Sequence, residues 1–202
     1  MRIKYFTSVA CFVFLAGCLV SCSSVKVART DSSRTVDLSG NWNDSDSRLV
    51  SQEMIQSCVA HAWLSEFDRK NGRVPVVIVG TIMNKTSEHI DPQVFVSDLE
   101  QSLINTGRAK FVASSPQRQE LRTEKEDQSL HASRETARKM NAETGADFML
   151  QGIISSVKDE ISGKYVIFYQ VNLELVDLTT NEKIWIGQKE IKKIVSRKAF
   201  GL

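Results

Sequence analysis

The stretch Tyr165-Val166-Ile167-Phe168-Tyr169-Gln170-Val171-Asn172-Leu173-Glu174-Leu175-Val176-Asp177 sets the fold class of this chain. Tyr165, Ile167, Tyr169, Val171, Leu173 and Leu175 recur at every second position, so an extended strand turns all six toward one face. Ser162-Gly163 before it and Thr180-Asn181 after it are turn dipeptides. Beyond those turns lie two more apolar runs, Asp147 to about Val157 and Lys183 to about Val195, the latter carrying Ile184 and Trp185. The C-terminal part therefore reads as a three-stranded meander.

Working upstream, the periodicity changes. Asp46 or Ser47 can cap a helix to about Phe67, with Val50, Met54, Cys58 and Ala62 at helical spacing and Asn71-Gly72 as its stop. Val74 to Ile82 is a nearly continuous apolar run, which predicts a strand covered on both faces. After a loop from Met83 to Asp91, Asp91-Pro92 starts a helix carrying Val94, Phe95, Leu99, Leu103 and Ile104 and ending at Gly107. Lys110 to Ala113 is a short strand, and Ser115-Pro116 opens a charged helix through Gln128. Ser133-x-x-Thr136 predicts one more helix, with Ala137, Met140 and Ala142, closed by Gly145 in the left-handed conformation. The fold class is α/β of the α+β type: a single mixed sheet of about five strands with helices packed on it.

The N-terminus is a different kind of sequence. Arg2 and Lys4 precede an apolar core from Tyr5 to Phe14, too short for the roughly 30 Å of hydrocarbon that a spanning helix must cross. Two overlapping boxes follow, Leu15-Ala16-Gly17-Cys18 and Leu19-Val20-Ser21-Cys22. Small residues before a Cys are what a lipoprotein signal peptidase requires, and a diacylglycerol on that Cys sulfur is the membrane anchor. Leu-Ala-Gly-Cys18 fits the box better, whereas Cys22 is followed by Ser23-Ser24 and a polar run; we take Cys22 as the lipid anchor, with Cys18 as the alternative. The chain then divides into a signal peptide (1–21), a lipidated Cys and flexible tether (22–36), and one globular domain (37–202). Neither Cys is followed by the Asp that retains lipoproteins in the inner membrane of enteric bacteria. The expected location is the outer membrane, with the domain in the periplasm.

Composition excludes several functions. Lys and Arg total 26 and Asp and Glu 24; with Arg2 and Lys4 in the signal, the mature chain is formally neutral, which speaks against nucleic-acid binding. With Cys22 lipidated, only Cys58 remains, on a helical pattern that suits a small buried hydrophobe. If Cys18 carries the lipid, a Cys22–Cys58 bridge becomes conceivable. His61, His89 and His131 lie on three separate elements without metal-ligand spacing, and His61 reads as a core or boundary imidazole. No hydrolase elbow, phosphate loop or dinucleotide fingerprint is present. The expectation is a non-enzyme with no metal and no cofactor beyond its covalent lipid, and a monomer. Asp37, Asp44 and Asp46 near Trp42 read as helix-capping groups before a sugar site. Lys189, Lys192, Lys193, Arg197 and Lys198 read as a solvated strand face and tail. The charged 116–128 segment reads as a surface helix with internal ion pairs. Trp42 is the candidate partner-binding residue: before a helix it either plugs that helix onto the sheet or stands exposed as an interface anchor.

The lead-in Asp37-Leu38-Ser39-Gly40-x-Trp42-Asn43-Asp44-x-Asp46-Ser47 resembles that of the LpoB-like lipoproteins, the penicillin-binding protein activator family. Asn84-Lys85-Thr86 after a strand, the Gly145-Ala146-Asp147 turn and the Ile184-Trp185 strand agree with that family in order and spacing, from about Asp37 to Gly187. The resemblance implies a fold similar to the N-terminal domain of TolB. It also implies an outer-membrane lipoprotein that docks on a class A penicillin-binding protein and raises its glycan-polymerising and cross-linking activity. The tether departs from the family's best-known member, which has a long Pro-rich one. Pro75, Pro92 and Pro116 are the three prolines here, and about 25 residues from Cys22 to Ser47 reach at most roughly 85 Å. The strand, Asn-x-Thr loop, helix and Gly-Ala-Asp order also resembles the globular part of CsgG-like secretion lipoproteins. Those need amphipathic membrane strands of about ten residues, which Arg118 to Asp127 does not supply.

Overall fold

A computed structural model of the chain describes residues 27–138 and 143–196. The chain divides into two compact units, 1–34 and 35–202. In the described part of the first, Asp31 closes a turn by accepting from the Ser33 amide (2.8 Å). The second contains α1 (Asp44–Ala60), α2 (Trp63–Asn71), β1 (Val76–Asn84), α3 (Gln93–Asn105), β2 (Lys110–Val112), α4 (Ser115–His131), β3 (Phe148–Ile161), β4 (Lys164–Asp177) and β5 (Lys183–Ser196). Among the described residues no helix is long and apolar enough to cross a membrane.

The strands form one mixed sheet in the order β2-β1-β3-β4-β5. β1 runs parallel to β2 and β3, and β3, β4 and β5 form the expected antiparallel meander. Both turns use residues that tolerate positive φ, Gly163 (74°) and Asn181 (62°). Alternation assigns the two faces. Tyr165, Ile167, Tyr169, Val171, Leu173 and Leu175 are all buried, and with Leu150, Ile154 and Trp185 they meet Val50, Met54 and Cys58 of α1 and Phe95, Leu99 and Leu103 of α3. At Gly187 a Cβ would lie 2.6 Å from the Met54 sulfur and 2.4 Å from the Trp185 ring. The missing side chain is what lets α1 settle on β5. The opposite face of β3, β4 and β5 has no fully buried residue, and Val157, Ile161, Ile186 and Ile194 stand exposed on it.

Four expectations are corrected. The first helix is two: His61 turns extended (ψ 147°) and ends α1. The break is held by Trp63, whose indole N–H donates to the Cys58 carbonyl (3.2 Å) and whose ring packs edge-on against Phe148 (5.5 Å). His61 and Ala62 are consequently exposed rather than core. The α1 cap is Asn43, one turn earlier than expected. β1 is buried only at its start, since helices cover one face of the sheet and its far end opens to solvent. Ser133 to Ala137 forms a single hydrogen-bonded turn and no helix, and Gly145 does not take the left-handed conformation. Met140 and Ala142 lie outside the described residues, as do Cys11, Cys18, Cys22, Arg197 and Lys198. α4 has no buried residue, and its Arg122 pairs outside the helix, with Glu143 (2.9 Å).

Candidate interaction site

The lead-in segment is locked to the sheet through two carboxylates and one ammonium. Asn43 caps α1: its Oδ1 accepts from the amides of Ser45 (2.9 Å) and Asp46 (3.2 Å), and Asp46 Oδ2 accepts from the Asn43 amide (2.9 Å). This reciprocal pair satisfies donors that a helix start otherwise leaves open. It also buries the Asp46 side chain to 4 % exposure, where a carboxylate needs a counter-charge. Lys193 of β5 supplies it, with Nζ 2.6 Å from Asp46 Oδ2, 2.8 Å from Asp37 Oδ1 and 3.0 Å from the Asn41 carbonyl. Hydrogen bonds from Lys193 and then Asn43 hold the Asp37 carboxyl below its ordinary value. Burial alone would lower the Lys193 ammonium, but its bonds to Asp37 and Asp46 outweigh that and raise it.

Trp42 sits at the centre of this latch, half-buried. Its indole N–H donates to Ser47 Oγ (2.9 Å) and its ring meets Tyr169 edge-on at 5.4 Å. Its backbone amide donates to Glu88 Oε2 (2.8 Å), and the Tyr169 hydroxyl donates to Glu88 Oε1 (2.5 Å). Burial and the Glu88 carboxylate push the Tyr169 phenol upward. Glu88 is in turn placed by the Asn84-Lys85-Thr86 turn. There Asn84 Oδ1 accepts from the Thr86 amide (2.9 Å) and Asn84 Nδ2 donates to the Glu88 carbonyl (2.7 Å). Gly40, at φ 80°, passes so close to β5 that a Cβ would lie 2.1 Å from Val195 Cγ2. Beside it the Tyr165 hydroxyl donates to the Ser39 carbonyl (2.6 Å). The two motifs that stand apart in sequence, the lead-in and the Asn-Lys-Thr loop, are thus one structure, and this geometry is the plug.

Glu88 and Lys193 join the motifs, and neither was singled out for that role from sequence. Lys193 had a usable signal: on a strand it shares parity with Trp185, so it points to the covered face. Glu88 had none, because it lies in a loop. The basic run is not one patch. Lys189 pairs with Glu53 (3.3 Å) and Lys193 enters the latch, leaving Lys192 exposed on the other face.

A cleft of about 510 Å³ opens at the other end of the sheet, floored by Trp63, Phe67, Phe148 and Ile184. Two of its carboxylates, Asp147 and Asp177, are occupied structurally. Asp147 takes both Arg73 nitrogens (2.7 and 2.8 Å) and the Val76 amide (2.9 Å), and hydrogen bonding from Arg73 lowers its pKa. Asp177 accepts from the amides of Thr179 (2.7 Å) and Thr180 (3.0 Å). His61, His89 and His131 stay exposed and apart. Cys58 is a free thiol, 2 % exposed, pushed by burial up to about 12, unsuited to act as a nucleophile. Among the described residues no group of three or more His, Cys, Asp or Glu side chains is placed to hold a metal. Among the described residues the domain also presents one sheet face without a covering helix and, in β5, an edge strand with a single partner.

The family model for the peptidoglycan-synthase activator LpoB matches residues 46–191. Among solved structures, the LpoB C-terminal domain from Salmonella enterica is similar at 19% identity, covering 70% of this chain and 96% of that one with a TM-score of 0.37. The LpoB C-terminal domain from Escherichia coli gives the same identity, coverage and score. The lipoprotein GNA1162 from Neisseria meningitidis is similar at 16% identity, covering 59% of this chain and 83% of that one with a TM-score of 0.38. No curated protein sequence matches the chain.

Proposed function

Because the chain belongs to the LpoB family of peptidoglycan-synthase activators, we propose that it is a non-enzymatic outer-membrane lipoprotein that binds and stimulates a class A penicillin-binding protein. Its anchor is the lipid on Cys22, or on Cys18 if the first box is cleaved. The observation that carries the reading is the extent of the family match, from Asp46 in the α1 capping box to Ile191 in the last strand. The same span contains the Trp42-contacting residues Ser47, Glu88 and Tyr169. Trp42 then serves docking indirectly, by keeping the lead-in segment on the sheet, and the partner meets a preformed surface that loses little entropy on binding.

The tether sets the geometry of the encounter. With the lead-in held on the sheet from Asp37 onward, only the stretch from Cys22 to Asp37 is free tether, at most roughly 55 Å when fully extended and far less as a coil. A synthase held in the facing membrane is therefore reached only where the periplasm is narrow. The test mixes the soluble chain from Ser23 onward with each class A penicillin-binding protein of the host and follows binding and glycan polymerisation together. Specific binding with faster polymerisation is expected. Binding to none of them would remove the activator reading and leave the fold untouched.

A further inference from the structure

β5 ends the sheet, and among the described residues its outer edge is open. Its one partner strand among the described residues is β4, and no other described backbone or side-chain group bonds to the backbone of Lys183–Ser196. A strand of 14 residues is a long edge to leave unpaired, and such edges are templates for another strand unless charge or a bulge blocks them. Lysines are the usual block, and β5 has four. Yet Lys183 is tied to Glu174 (2.6 Å), Lys189 to Glu53 and Lys193 to Asp37 and Asp46. Of these four only Lys192 makes no ion pair among the described residues, and it lies on the open face two positions from Glu190, whose carboxylate accepts from the Gln188 side chain (2.8 Å) and makes no ion pair there either. Exposed Ile186 and Ile194 flank this couple on the same face.

We propose that this edge pairs with the β5 edge of a second copy, antiparallel about a two-fold axis at Ile191. An antiparallel pair centred on one residue sets each position opposite its mirror position. Centring on Ile191 puts Glu190 opposite Lys192 of the second copy and Lys192 opposite its Glu190, two cross-strand ion pairs on the open face. Neighbouring registers fail this test. Centring on Glu190 or Lys192 sets like charges face to face on the open face, and centring on Lys189 or Lys193 sets that lysine against its own copy and leaves Glu190 and Lys192 opposite neutral residues. At Ile191 the register also places Gln188 opposite Ile194 and Ile186 opposite Ser196. Lys189 falls opposite Lys193, but both ammonium groups are already matched by carboxylates of their own copy. The axis is normal to the sheet, so the helices of both copies stay on one side and the open faces join into one. So small a contact is weak in dilute solution and gains from confinement of lipidated chains to one membrane.

The test uses the full lipidated chain in membranes. Gln188→Cys and Ile194→Cys in one chain become cross-strand neighbours between copies, within disulfide reach, whereas within a copy they lie about 20 Å apart along the strand. Mild oxidation of this double variant is expected to give a covalent dimer well above the parent chain, with either single variant at parent level. Adding Lys192→Glu is expected to cut the dimer roughly fivefold, and adding Glu190→Lys on top to restore it, since the two charges exchange places. No dimer above parent in the double variant overturns the proposal. So does cross-linking by a single variant, or a yield that ignores the charge changes. The restored swap excludes misfolding as the cause of any loss.

Discussion

The two faces of the meander treat the same residue types in opposite ways. On the covered face Lys193 is 12 % exposed and bonded to Asp37, Asp46 and the Asn41 carbonyl, and Leu173 is fully buried. One position away, on the open face, Lys192 has no ion-pair partner among the described residues and Ile186 is 59 % exposed. Adjacent lysines in one basic run thus meet different surroundings, one as the counter-charge of a buried carboxylate and the other exposed to solvent. Strand parity separates them, a variable that composition and charge runs do not contain.

The largest expected contrast is apolar. Leu173→Ala removes a side chain with no exposed surface beside Gly152 and should cost about 3 kcal/mol, transfer and cavity effects combined. Ile186→Ala on the open face should stay within about 0.5 kcal/mol. Urea denaturation of both variants checks this. Equal losses would mean that the open face is covered in the folded protein.

The polar contrast comes next. Lys193→Met leaves Asp46 buried without its ammonium and should cost about 2 kcal/mol, moderated by water reaching the half-exposed Asp37 side of the pair. Lys192→Met should be neutral within about 0.5 kcal/mol. The Lys193 variant should also loosen the lead-in segment, read as faster hydrogen exchange at the Trp42 amide, which Glu88 now protects. A Lys193 variant as stable as the parent would show that the latch contributes no net stability.

Much of this fold was legible because its signals are local. Six alternating apolar residues and two turn dipeptides were enough for the meander, and Asp91-Pro92 placed α3, whose Gln93 amide does bond to Asp91 (2.9 Å). Where the reading failed, the cause was tertiary. At the break at His61, Trp63 packs on Phe148 of a distant strand, a contact that helical spacing does not contain. The turn at Ser133 matched a capping pattern, but no helix among the described residues follows it there. The latch was half legible. Trp42, Asp37 and Asp46 stood out as a motif, whereas Glu88 and Lys193 reach it from 46 and 147 positions away, a separation at which sequence spacing carries no information.

The smallest effect separates the two carboxylates that share Lys193. Asp37 has its pKa lowered from 3.8 by Lys193 and Asn43, so its contribution is complete above that value and is lost as pH falls through 3.8 toward the lowered one. The Lys193 pKa is raised from 10.5; its contribution is complete below 10.5 and is lost as pH rises past it. The stability difference between the parent and Lys193→Met should therefore be flat in the middle range and shrink at both ends. The acid decline should be about 0.5 kcal/mol or less, because Asp37 is half exposed and solvent screens its pair. Arg73–Asp147 and Lys183–Glu174 also weaken in acid, but they are present in both proteins and cancel in the difference. A difference that stays constant down to pH 3 would mean that Asp37 adds nothing measurable to the effect of Lys193. The Asp37 contact would then be a surface pair that the capping box holds in place rather than a member of the latch.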